Sequence, residues 1–355
     1  MAEEQDTPPP KQPDENDELK AGTIHKDPKA NATAVAGKDV PRVLTVPQIL
    51  QASATRAEES KGHKHCTTGN DYIDDITGGL QAGDTWLMGA DTSWGKSSWA
   101  ILVTHLNIKL NKRVLIVTSE DDEALYGDRL MCLRGDLDAK RYRNGRLTKD
   151  EWAIVRHTIA AAEPVPVYVD ARPHKLEKLV EHLDKIIKQQ AIDLVIFDYL
   201  QEFQSSGRHQ DERVKYKELG GIMRRVVKTN KKCGIILSQL TMTEQTKIPT
   251  RRNIRETRDV CNAAETILIG FIPTEHIYKT DAKGDKTDEI QFHAGERVFL
   301  IDKCKKGPRG RMIVMPWDDR TASFKQVIDP EQRRIDALYD DLGDIAEDES
   351  EERYQ

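Results

Sequence analysis

Ten consecutive residues, Gly89-Ala90-Asp91-Thr92-Ser93-Trp94-Gly95-Lys96-Ser97-Ser98, constrain this chain more than any others. They lie between a short apolar run, Asp84-Thr85-Trp86-Leu87-Met88, and a stretch in which Trp99, Ile101, Leu102, Val103, Leu106 and Ile108 give a helix its apolar positions. A strand, a loop and a helix in that order suit a nucleoside triphosphate, because loop N–H groups and the helix N-terminus present positive partial charge to phosphates. In such a loop the backbone from Ala90 to Ser98 cradles the phosphates, Lys96 reaches the β- and γ-phosphates, and the Ser97 hydroxyl holds Mg²⁺. The generic pattern G-x-x-x-x-G-K-[ST] has glycine where this chain has Ala90.

The remaining pattern predicts an α/β fold. Strand-like runs at 114–118, 165–169, 194–197, 234–237, 266–270 and 298–301 alternate with helical stretches such as 176–189 and 217–230, as in a mainly parallel sheet flanked by helices. The polar segment 274–291, with Lys283-Gly284-Asp285, reads as a hairpin turn or a loop insertion. Upstream, Thr45 is placed as the N-cap of a helix to about residue 60, with Pro47 in its first turn and Val46, Ile49, Leu50 and Ala54 on one face. Residues 1–44, with Pro8-Pro9-Pro10, have little to bury and are expected to be disordered. The expected organisation is a lead (1–44), a linker or oligomerisation helix (45–62), an ATPase domain (63–327) and an acidic tail (328–355).

The net charge of −6 is unevenly spread. Residues 1–44 carry 9 acidic and 6 basic side chains and residues 328–355 carry 11 and 3, which leaves 40 acidic and 45 basic residues between them. The middle is therefore mildly basic and compatible with a polyanionic partner. No run approaches the length of a membrane span, and Met1-Ala2-Glu3-Glu4-Gln5-Asp6 lacks the parts of a signal peptide, so a cytoplasmic protein is expected. Five scattered cysteines read as reduced thiols. His63-Lys64-His65-Cys66 has no second ligand pair at zinc-site spacing, which argues against a metal there.

Hydrolysis needs more than a phosphate loop. Asp198 ends the apolar run Leu194-Val195-Ile196-Phe197, at the carboxyl end of a strand, where it can orient Mg²⁺ together with Ser97. Glu120 follows Val114-Leu115-Ile116-Val117-Thr118-Ser119 and is placed to orient or deprotonate water, with Asp121 and Asp122 next in line. Gln239 follows Ile235-Ile236-Leu237-Ser238, where an amide can sense the γ-phosphate. Lys247, Arg251, Arg252, Arg255 and Arg258 make a basic stretch suited to sequence-independent contacts with phosphodiester backbone.

From about Thr67 to Val327 these motifs resemble the ATPase domain of DnaB-type replicative helicases, within the RecA-like group. The resemblance rests on Thr77-Gly78-Gly79-Leu80-Gln81-Ala82-Gly83-Asp84, the alanine in the phosphate loop, Asp198-Tyr199-Leu200-Gln201 and Leu237-Ser238-Gln239-Leu240. It rests also on Ile254-Arg255-Glu256-Thr257-Arg258 and Lys303-Cys304-Lys305-Lys306-Gly307-Pro308. It implies an ATP- and Mg²⁺-dependent DNA helicase motor, assembled as a homo-hexamer around single-stranded DNA that Arg255, Glu256 and the Arg258 position would hold. It implies as well that Lys303 and a finger residue, here Lys305, reach into the neighbouring subunit's ATP site. Lysine lacks the bidentate fork of arginine, so Lys306 and Arg309 are further candidates. The family's helical N-terminal collar has no counterpart in this reading, which suggests a minimal form of phage or plasmid type. Primase, polymerase or a helicase loader are the partners such a form implies, through its termini. The alternative is a RecA- or KaiC-like ATPase that assembles without unwinding.

Overall fold

The computed structural model describes residues 45–59, 66–118, 121–171, 176–198, 212–241, 248–254, 258–280 and 285–327. Outside them lie the lead expected to be disordered, His63-Lys64-His65, the acidic tail, Tyr199-Leu200-Gln201, and the candidate site residues Glu120, Lys247, Arg255 and Glu256. The chain divides into two compact units, Met1–Arg56 and Ala57–Gln355.

The helix expected over 45–60 is α1 (Val46–Glu59). Thr45 starts it: its carbonyl accepts the Ile49 N–H at 3.0 Å, and its own N–H donates to Gln48 Oε1 at 2.8 Å. Val46, Ile49 and Leu50 are exposed.

The larger unit is built on one eight-stranded sheet. Six strands run parallel: β1 (Thr85–Ala90), β2 (Val114–Thr118), β3 (Val167–Asp170), β4 (Leu194–Asp198), β5 (Cys233–Gln239) and β6 (Thr266–Phe271). Next come a hairpin, β7 (Ile277–Thr280) and β8 (Lys286–Phe292), and two strands that extend the sheet, β9 (Val298–Cys304) and β10 (Met312–Val314). The sheet order is β10-β9-β6-β1-β5-β4-β2-β3, with β9 antiparallel to both its neighbours. The hairpin occupies the polar segment expected to turn. The antiparallel edge has no counterpart in the sequence reading, since an apolar strand looks the same in either direction.

Helices α2 (Asp71–Thr77), α3 (Lys96–Lys109), α4 (Glu123–Gly135), α5 (Ala139–Arg143), α6 (Lys149–Ala160), α7 (Leu176–Gln189), α8 (Glu212–Asn230) and α9 (Arg258–Ala263) complete the layers. A short ribbon, β11 (Trp317–Asp318) and β12 (Ser323–Phe324), follows the sheet. Alternation along β1 divides the core: Trp86, Met88 and Ala90 pack with α3, Ile73 and Tyr126, whereas Leu87 packs with Leu179, Leu183 and Ile187 of α7 and with α8. Both faces of the sheet are covered, which is why its inner strands read as continuous apolar runs.

Candidate active site

Because β1, β2, β4 and β5 are parallel, their carboxyl ends share one edge. Ala90 pairs with Gln239, and Thr118 with Asp198. Lys96 and Ser97 open α3 directly beyond β1, so the phosphate loop, the strand-ending carboxylate and the strand-ending amide converge, as the sequence requires. The loop and Gln239 border an open pocket of about 220 Å³ lined by Thr92, Gly95, Lys96, Ser97, Ser98, Asp121, Arg129 and Gln239.

The loop is shaped from below. The Thr92 N–H donates to Asp91 Oδ1 at 2.8 Å, and the Trp94 N–H donates to the Asp91 carbonyl at 3.1 Å. Gly95 has φ +100°, which favours glycine, and a Cβ there would also press to 3.1 Å from the Trp317 ring. The Trp94 ring is wholly buried, with centroids 4.5 Å from Phe299 and 4.6 Å from Phe324. Its side chain pins the loop to the core. Ala90 behaves likewise: its methyl is buried against the Gly270 position, while its carbonyl accepts from Lys96 Nζ at 3.4 Å.

Asp198 is buried to 1% exposure, and burial pushes its carboxyl above the usual range, with the hydroxyls of Tyr126 and Ser97 drawing it back in part. Tyr126 donates to Oδ2, while Oδ1 is buried with no hydrogen-bond partner among the described residues. A buried carboxylate oxygen without a donor, close to a serine hydroxyl, suits a hard divalent cation with oxygen ligands. The residues present therefore fit Mg²⁺.

Two side chains at this edge, Tyr126 and Arg129, were not singled out in the sequence. Asp122 caps α4, accepting the Leu125 N–H at 2.9 Å, and so turns Tyr126 and Arg129, one helical turn apart, toward β4 and the loop. Arg129 binds Asp121 at 2.6 Å. Asp121 and Asp122, the stand-ins for Glu120, are thus an ion-paired carboxylate and a helix cap. The readable signal was the Asp122 cap followed by Leu125, Tyr126 and Arg129 at helical spacing.

Lys303 and Lys305 do not join this pocket. Cys304, between them, pairs with Thr266, which pairs with Trp86 near the start of β1, the end of the strand remote from the phosphate loop. Lys303 Nζ donates to the carbonyls of Cys261 and Asn262 at 2.8 and 3.0 Å, and Lys305 meets Glu265 at 3.3 Å. Burial, then Lys305 and Arg251, push the Lys303 ammonium below its ordinary value. Lys306 is engaged by Asp84 at 2.5 Å, and Arg309 is exposed. In the basic stretch, Arg251–Asn253 form a 3-10 turn capped by Thr250. Arg251 pairs with Asp302 at 3.2 Å, Arg252 is exposed, and Arg258 begins α9.

A parallel sheet with a phosphate loop after β1, a buried carboxylate ending β4 and an amide ending β5 defines a RecA-like phosphate-loop ATPase domain. The chain belongs to the DnaB-like helicase C-terminal domain family, which matches residues 66–326. It is 24% identical over 249 residues to the replicative DNA helicase DnaB of Geobacillus stearothermophilus, across 68% of this chain and 52% of that one. Against the replicative DNA helicase DnaB of Pasteurella multocida it is 25% identical over 280 residues, across 74% and 57%. The chain spans about half the length of these curated relatives. Its fold matches a solved structure of an isolated ATPase domain, with a TM-score of 0.68 and 16% identity over 81% of this chain and 100% of that one. It also matches a DnaB-like replicative helicase whose structure was described with its interactions with primase, with a TM-score of 0.64 and 16% identity over 81% and 68%. Among the described residues, no helix is long and apolar enough to cross a membrane.

Proposed function

We propose that this chain is the ATP-hydrolysing motor of a replicative DNA helicase, working as a homo-hexameric ring that moves along single-stranded DNA. The observation that carries the proposal is the division of the family's motifs between two edges of one sheet. Lys96, Ser97, Asp198 and Gln239 meet at the carboxyl edge, whereas Lys303 and Lys305 lie toward the other end of β6 and β9. A site whose cations sit on the far side of the same subunit is completed by a second copy.

Lys96 stabilises charge developing on the transferred phosphoryl group, Glu120 orients the attacking water, and Gln239 registers whether the γ-phosphate is present. Ser97 and Asp198 would hold Mg²⁺, which would neutralise negative charge on the triphosphate. Lys303 and Lys305 of a neighbouring copy add positive charge to the site. Lys247, Arg251, Arg252, Arg255 and Arg258 contact DNA phosphates, with Glu256 orienting the arginines, so binding is led by the backbone and indifferent to sequence. The exposed Val46, Ile49 and Leu50 of α1 support its docking on an adjacent subunit. The acidic tail is suited to recruiting a basic partner such as primase, polymerase or a helicase loader.

Strand displacement on forked DNA tests the reading. ATP-dependent unwinding by a particle of hexameric mass is expected. ATP hydrolysis and DNA binding without displacement would favour the ATPase that assembles without unwinding.

A further inference from the structure

Tyr126 carries an aromatic hydroxyl that the phosphate-loop reading does not use, yet it touches the most critical carboxylate of the site. Its side chain is 2% exposed, and its O–H donates to Oδ2 of Asp198, itself 1% exposed. At the end of β2, Thr118 Oγ1 accepts the Asp121 N–H at 3.3 Å. Thr118 and Asp198 are register partners on β2 and β4, so Tyr126, on the helix that follows β2, reaches across to the end of β4. A tyrosine hydroxyl has one proton to give, and here it is committed to Oδ2. The consequence for Asp198 is geometric: one oxygen is tied, and the other, Oδ1, is buried without a hydrogen-bond partner among the described residues.

We propose that Tyr126 is a positioning residue for the metal carboxylate: by tying Asp198 Oδ2 it fixes the carboxylate and leaves Oδ1 for the cation. This rests on the reading of the pocket as an ATP–Mg²⁺ site. A buried carboxylate oxygen with no donor would ordinarily be turned toward one. The tether from Tyr126 holds the carboxylate in one orientation, so Oδ1 would be an oriented ligand for a bound cation. Arg129, one turn further along α4, pairs with Asp121 and lies over the Tyr126 ring, 5.7 Å from its centroid.

Tyr126→Phe keeps the ring and removes the O–H. The test is equilibrium binding of a fluorescent ATP analogue to the full chain, titrated with Mg²⁺ and repeated in EDTA. Nucleotide affinity in EDTA is expected to stay within twofold of wild type, and the Mg²⁺ concentration needed for half of the metal-dependent gain is expected to rise about tenfold, in line with losing a hydrogen bond to a charged group. In an Asp198→Asn background the same change is expected to add nothing, because Tyr126 acts through that carboxylate. An unchanged or lower Mg²⁺ requirement in Tyr126→Phe would overturn the proposal. So would an equal loss of affinity in EDTA, which marks a role in packing. If wild type itself shows no Mg²⁺-dependent gain, the ATP–Mg²⁺ reading fails, and the proposal falls with it by a distinguishable result.

Discussion

Gly270 offers the most direct test of how the core shapes the phosphate loop. It pairs with Ala90 across β1 and β6, and a Cβ built on it would stand 2.7 Å from Cδ2 and Cε2 of the Trp94 ring and 3.0 Å from the Ala90 methyl. Ordinary carbon contacts begin near 3.5 Å, so Gly270→Ala obliges the ring or the strand to move by about 0.8 Å. Trp94 is hemmed in by Phe299 and Phe324, so the displacement passes to the loop backbone between Asp91 and Gly95. Overpacking by one methyl costs about 1–3 kcal/mol, offset by roughly 0.5–1 kcal/mol from the stiffer unfolded chain. A net loss of about 1–2 kcal/mol lowers Tm by about 2–8 °C in a domain of this size. Turnover is expected to fall further than stability, by about tenfold or more, because a shift of about 1 Å in catalytic geometry can cost about a hundredfold. Thermal melting and steady-state ATP hydrolysis, each with an ATP titration, measure both effects. Trp94→Phe in the same chain removes part of the larger ring and is expected to restore part of the activity. Turnover and ATP affinity within twofold of wild type, despite the lower Tm, would refute the coupling of loop to core through Trp94.

Lys96→Ala and Glu120→Gln are each expected to lower ATP turnover about a hundredfold or more, while Glu120→Gln still binds ATP; normal turnover in the latter would move the base elsewhere. Arg255→Ala with Arg258→Ala is expected to weaken single-stranded DNA binding alike for all sequences and to reduce the log–log salt slope by roughly 0.7 per lost contact, as fluorescence anisotropy at several salt concentrations would read. His105, on α3, is pushed down to about 4 by burial, with Lys109 and Arg134 adding to it. The unfolded chain binds that proton near pH 6.5 and the folded chain does not, so this contribution is complete above pH 6.5 and is lost as pH falls toward 4. After allowance for solvent screening it amounts to about 1–2 kcal/mol, and His105→Gln should flatten urea-melt stability across that window.

Much of the site was legible because its residues are fixed by local pattern. A glycine-lysine-serine at a helix start, an aspartate ending an apolar run and a glutamine ending another each declare a position relative to their own strand, whatever the rest of the chain does. What local pattern lacks is the partner across the sheet. Alternation says that Asp198 ends a strand; only the register with β2 brings it beside Thr118 and under Tyr126. Ala90 and Trp94 look like loop residues in the sequence, and the structure puts both side chains in the core, against Gly270, Phe299 and Phe324, which lie about 180 to 230 positions downstream. Lys303 and Lys305 sit in a motif whose place in the sequence is plain, but which edge of the sheet they occupy follows from the antiparallel run of β9, and an apolar strand carries no mark of its direction. Local side-chain pattern thus settles the chemistry available and the strand ends that carry it. Which of those ends meet is settled by the folded arrangement, because contacts between distant residues depend on strand order and register, and neither is written in any local run of side chains.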